Sequence, residues 1–167
     1  AEFRKRGAKV WIAAPGATGD GVLPLVASAP ISAPLLTVQT RDQRTLAILT
    51  VDVDTGAVRE QRRIVDPDWT DLVPGVPAWS RGRLVTVEVR NDTYRLCIDG
   101  EPVTPAGVQV RRAVSVDDDE ALVVATTDPT EAHVARVDLG GQPMRWLSTG
   151  PGVHGGGRLH RFEPAVE

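Results

Sequence analysis

The residues best suited to chemistry in this 167-residue chain lie near its end, in the run His154-Gly155-Gly156-Gly157. A histidine followed by glycines is the loop with which some α/β-hydrolases donate a backbone amide to an oxyanion. That loop works only beside a serine presented by a Gly-x-Ser-x-Gly turn. Ten residues follow Gly157, and no serine of the chain has that flanking pattern. Without a nucleophile the run reads as a flexible glycine linker. An independent hydrolase built on His154 is the weakest reading. His133 alternates with Val134 and Arg136 on an expected strand, His160 lies near the end of the chain, and neither has a ligand or base partner close in sequence. Both read as structural or surface histidines.

Two further patterns resolve into turns. Gly16 to Gly21, after VWIAAP, has the glycine content of a dinucleotide-binding turn, which requires a helix to follow. Pro24 and Pro30 interrupt that helix and the third glycine is out of register, so the segment reads as a hairpin. Asp52, Asp54 and Asp117 to Asp119 supply the carboxylates a hard cation wants, but Gly56 falls one residue early for a calcium loop. Those aspartates read as caps of solvated turns. Cys97 sits on an alternating strand as a small apolar residue, and with no second cysteine it forms no internal disulfide. On these grounds the sequence assigns no catalytic, substrate-binding or metal-ligating residue and no cofactor.

Composition narrows the class. The chain is 41% hydrophobic and 25% charged, carries a formal net charge of −3, and contains 13 prolines and 16 glycines, as expected of a turn-rich globular chain. Interspersed charges with a slight acidic excess argue against nucleic acid or an anionic membrane as partner. The longest apolar stretch, Val22 to Leu36, is broken by Pro24, Pro30 and Pro34, and AEFRKRG at the start is not followed by a signal-peptide core. A single cysteine fits a reducing compartment, so the expected location is cytoplasmic.

The elements are short strands. In VPAWSRGRLVTVEVRNDTYRLCIDGEPVTP, Val76 to Pro105, strands are expected at Ala78 to Trp79, Leu84 to Val89, Tyr94 to Ile98 and Pro102 to Thr104, with tight turns at Asn91-Asp92 and Asp99-Gly100. Four strands in about thirty residues make one β-propeller blade. Similar patterns occupy Lys9 to Ala14 with Val22 to Ala27, then Leu35 to Thr40, Thr45 to Val53 and Ala57 to Val65. Val108 to Val116, Ala121 to Thr126, Ala132 to Leu139 and Pro143 to Ser148 complete the series. The glycines closing equivalent hairpins, Gly56, Gly100 and Gly141, are 44 and 41 residues apart, the period of a blade. The expectation is an all-β chain forming a partial β-propeller over 1–157, of about four antiparallel blades near 1–30, 31–75, 76–106 and 107–150. An irregular tail follows at 158–167. A β-sandwich of unequal strands is the alternative.

Thr37 to Arg59 (TVQTRDQRTLAILTVDVDTGAVR), Asp66 to Val85, Asp99 to Pro105 and Asp128 to Gly141 together resemble the amino-terminal β-propeller region of bacterial dipeptidyl peptidase IV type serine peptidases, of the prolyl oligopeptidase clan. The resemblance implies a non-catalytic propeller that gates access of short peptides to a separate α/β-hydrolase domain holding a Ser/Asp/His triad. It also implies a pair of adjacent glutamates gripping the substrate's α-amino group. No such pair occurs here: Glu60, Glu88, Glu101, Glu120 and Glu131 are each isolated in sequence. The implied partners are the catalytic domain of the parent protein and, through it, short peptides. The competing reading is a self-standing β-repeat interaction module. Four blades do not close a ring, so the end blades are expected to expose Val10, Ile12, Val123 and Trp146 and to pair into a homodimer.

Overall fold

The computed structural model of the chain describes residues 33–157, and every regular element within them is a strand. The first sheet contains β1 (Leu35–Gln39), β2 (Thr45–Val51) and β3 (Val58–Val65). The second contains β4 (Ala78–Ser80), β5 (Arg83–Arg90), β6 (Thr93–Ile98) and β7 (Glu101–Pro102). The third contains β8 (Gln109–Val116), β9 (Glu120–Thr126), β10 (His133–Asp138) and β11 (Arg145–Trp146). Each sheet is an antiparallel meander in chain order. A sandwich would exchange strands between two sheets, whereas here every sheet is built locally before the next begins. The chain is a partial β-propeller. The expected first blade, with Val10, Ile12 and Gly16 to Gly21, and the expected tail with His160 lie outside the described residues.

Local chemistry places the strands close to where the alternation predicts them. Asn91 and Asp92 both take positive φ, 50° and 58°, and so do Asp99 and Gly100, 51° and 89°. Positive φ at both central residues twists a two-residue turn in the sense the flanking strands require. The outer strands are shorter than expected. Beyond β7, the edge of β6 is continued by Val103 N–H on the Leu96 carbonyl (2.8 Å) and by Leu96 N–H on Thr104 Oγ1 (3.1 Å). The first sheet has no fourth strand among the described residues. The chain after β3 turns back over the β1–β2 hairpin instead, Asp66 N–H meeting the Arg44 carbonyl and Thr70 N–H the Gln43 carbonyl.

Packing differs on the two faces of the second sheet. Side chains alternate along β5, so Val85 and Val87 point one way and Thr86, Glu88 and Arg90 the other. The apolar face joins Leu96 and Ile98 of β6, and Val110, Ala113, Ala121, Val123, Ala125, Ala135 and Val137 of the third sheet, in one contiguous core. Nothing from the first sheet belongs to that core. Val123, expected at an exposed blade end, is fully buried because it faces the second sheet rather than outward. Trp146 is half-buried against the same core. No helix among the described residues is long and apolar enough to cross a membrane.

Candidate functional site

The polar face of β5 meets β3, and there the sequence's isolated residues become a cluster. Glu88 is buried, and every lone-pair direction of its carboxylate is used. Arg62 of β3 binds it with both prongs, Nε to Oε1 at 3.0 Å and Nη2 to Oε2 at 2.8 Å. Thr86 Oγ1 donates to Oε1 at 2.9 Å, and Arg90 Nη2 donates to Oε2 at 2.8 Å and to the Gly100 carbonyl at 3.0 Å. Hydrogen bonding to Glu88 raises the Arg62 guanidinium above its ordinary value, against the opposing effect of burial. Two-pronged pairing of this kind fixes orientation as well as charge. Gly100 makes room for it: a Cβ there would lie 2.4 Å from Arg62 Nη2 and 2.6 Å from Cζ.

Around the cluster lies a recess of about 220 Å³, lined among others by Arg63, Asp66, Trp69, Asp71 and Tyr94. A second, more apolar groove of about 540 Å³ lies between the second and third sheets and shares Asp71 and Tyr94 as a wall. Burial, then the negative charges of Asp71 and Asp66, push the Tyr94 phenol upward, so it stays neutral at physiological pH. Gln109 closes the floor by accepting from Tyr94 N–H at 2.8 Å and donating to the Asp92 carbonyl at 3.0 Å. Chemically, the first recess presents two arginines already committed to one carboxylate. It holds charge in place and leaves Glu88 no free oxygen with which to bind an ammonium group.

A second constellation joins residues that sequence reasoning had kept apart. Glu131 Oε2 lies 2.9 Å from His133 Nε2, Ser148 Oγ lies 3.5 Å from His133 Nδ1, and the His154 ring stacks on His133 with centroids 5.0 Å apart. Trp146 meets His133 edge-on at 5.8 Å. The order carboxylate, imidazole, hydroxyl is that of a nucleophilic triad, but the contact from hydroxyl to imidazole is long, 3.5 Å, and the hydroxyl oxygen is used to complete a sheet edge. Ser148 Oγ accepts the Val134 N–H at 2.9 Å, standing in for the ladder bond that is lost where β11 ends. His154 N–H on the Ala132 carbonyl (2.7 Å) and Ala132 N–H on the Gly152 carbonyl (3.1 Å) continue the same edge. The His-Gly-Gly-Gly run therefore begins as an edge-covering segment of the third sheet. The signal in sequence was the Glu131-x-His133 spacing, which puts both side chains on one face of an extended segment.

The remaining carboxylates shape turns. Asp52 Oδ1 accepts from the backbone of Thr55 (2.7 Å) and Asp54 (3.1 Å), and Asp117 Oδ1 from that of Glu120 (3.0 Å) and Asp119 (3.3 Å). Asp118 and Asp119 also link blades, through Ser80 Oγ and Arg81 N–H on Asp118 and an Arg81–Asp119 ion pair. Cys97 is fully buried, and burial followed by the charge of Glu88 pushes its thiol up to about 11. It is a packing residue.

Compared with known proteins, the sequence matches no family model and no curated protein. Its structure is similar to that of dipeptidyl peptidase 4 from Porphyromonas gingivalis, with a TM-score of 0.58 and 14% identity over 73% of this chain and 19% of that one. The likeness is one of fold. This chain spans about 19% of the length of the peptidase chain it matches.

Proposed function

We propose that the chain is the non-catalytic propeller portion of a cytoplasmic serine-type dipeptidyl peptidase, in which it gates access of short peptides to an α/β-hydrolase active site. The supporting observation is the fold shared with part of the P. gingivalis dipeptidyl peptidase 4 chain. On this reading the blades run near 1–30, 31–75, 76–106 and 107–150, the catalytic domain is the principal partner, and a homodimer would form through the terminal blades. No residue is assigned to substrate. Glu88, the most buried acid among the described residues, is saturated by Arg62, Arg90 and Thr86 and is unsuited to gripping an α-amino group. Reading the genomic frame past Glu167 tests the proposal: an α/β-hydrolase with a Gly-x-Ser-x-Gly turn supports it, and a stop codon with no such domain overturns it. The purified chain should not release chromophore from dipeptide-linked substrates, since loss of the nucleophile alone costs about a million-fold. Turnover blocked by a serine-directed inhibitor would contradict the assignment. One observation favours the second reading, a self-standing interaction module: no described residue pairs with the outer edge of the first sheet, strand β3.

A further inference from the structure

Strand β3 has an edge that no described residue covers, where β6 and β10 have theirs covered by β7 and β11 and the segments that follow them. Which backbone groups point outward follows from the pairing with β2. Asp66 N–H meets the Arg44 carbonyl and Asp52 N–H meets the Ala57 carbonyl, so hydrogen-bonded pairs recur every second residue inward from both ends. Ile64, Arg62 and Arg59 thus face β2. The register shifts between Ile48 and Leu49, leaving Gln61 as the extra residue of a bulge. The residues whose N–H and C=O groups face away from β2 are Val58, Glu60, Arg63 and Val65. Their side chains share one exposed face: Val58 is 45% and Val65 67% exposed, and Glu60 and Arg63 form an ion pair across the bulge.

This set is symmetric about the midpoint between Gln61 and Arg62. In a regular strand, outward-facing residues recur every second position. The bulge instead spaces the inner two by three, so that a single antiparallel register lays the whole set on a second copy of itself. In that register Val58 opposes Val65, Glu60 opposes Arg63, and each pair can exchange two backbone hydrogen bonds. Apolar meets apolar and acid meets base at every outward position, the arrangement that favours cross-strand pairing. We propose that β3 pairs antiparallel with β3 of a second copy of this chain about that two-fold axis, joining two three-stranded sheets into one. This interface is self-complementary, as a two-fold contact must be, and it is distinct from any contact between end-blade faces.

Sedimentation velocity of the full chain over a hundredfold dilution tests this, with Glu60→Arg and Arg63→Glu as separate variants. Both positions are exposed, so circular dichroism and thermal unfolding should show each variant folded like the parent. The parent should show a concentration-dependent dimer. In each variant all outward charges of β3 have one sign, and the dissociation constant should rise about tenfold or more. An equimolar mixture of the two variants should recover the dimer, because an all-arginine edge then faces an all-glutamate one. A parent that stays monomeric at every dilution overturns the proposal. So do variants that dimerise as tightly as the parent, which would place the contact elsewhere, and a mixture that remains monomeric.

Discussion

The second sheet is held on its two faces by different physics. Toward the third sheet, Val85, Val87, Leu96 and Ile98 interlock with alanines and valines in a continuous apolar core. Toward the first, Leu46 and Ile48 are buried, but the polar link that crosses is the two-pronged bond of Arg62 to Glu88, which Arg90 of the second sheet braces from its own side. An apolar contact scales with area and tolerates small shifts of one sheet on the next. A two-pronged ion pair repays the desolvation of its charges only when every lone pair is met, so it fixes one relative position. The apolar face supplies adhesion between blades, and the ionic face supplies registration.

Four expected outcomes break or sharpen that contrast. Leu96→Ala should cost most, about 3 kcal/mol within a range of roughly 2–5, because a fully buried side chain is lost from the contiguous core and leaves a cavity. Chemical denaturation checks this, and the loss should be insensitive to salt. Glu88→Ala should cost about 2 kcal/mol, below the usual figure for a broken buried pair, because Arg62 and Arg90 are 31% and 41% exposed and water reaches them. Replacing both partners, as in Arg62→Leu with Glu88→Met, should recover part of that loss. A double variant less stable than Glu88→Ala would mean that the ionic face contributes adhesion as well. Gly100→Ala should cost about 1–2 kcal/mol, since it strains a positive φ and displaces the Arg62 guanidinium from above the turn.

The smallest effect concerns pH. The Cys97 thiol is raised from 9.0 to about 11 by burial and then by Glu88, so below pH 9 it is protonated whether the chain is folded or not. Above that, only the unfolded chain ionises freely, and stability should fall as pH rises from 9 toward 11. The parent should lose more over this window than Cys97→Ala in paired denaturation curves. Equal slopes would show that the thiol is not shielded. At neutral pH a thiol reagent should label Cys97 only on unfolding.

How much was legible in advance depended on whether the cause was local. Strand limits in the second and third sheets followed from β-branched alternation and from Asn91-Asp92 and Asp99-Gly100, whose backbone preferences need no tertiary partner. The buried, inert character of Cys97 was equally readable from its place on an alternating strand. The exposure expected of Val123 was not, because alternation tells which side chains share a face but not which sheet that face will meet.

The sequence by itself thus determined an all-β chain of short meanders, their turns, and the absence of a Gly-x-Ser-x-Gly nucleophile. Only the tertiary structure decided that Glu88, isolated among its neighbours, would be enclosed by an arginine 26 residues away, and that Ser148 would serve the Val134 amide beside His133. It alone decided that a bulge at Gln61 would turn the edge of β3 into a set that mirrors itself. The reason is physical: turn and strand preferences are set within a few residues, whereas ion pairs, edge coverage and the outward direction of a backbone group depend on which strand lies alongside.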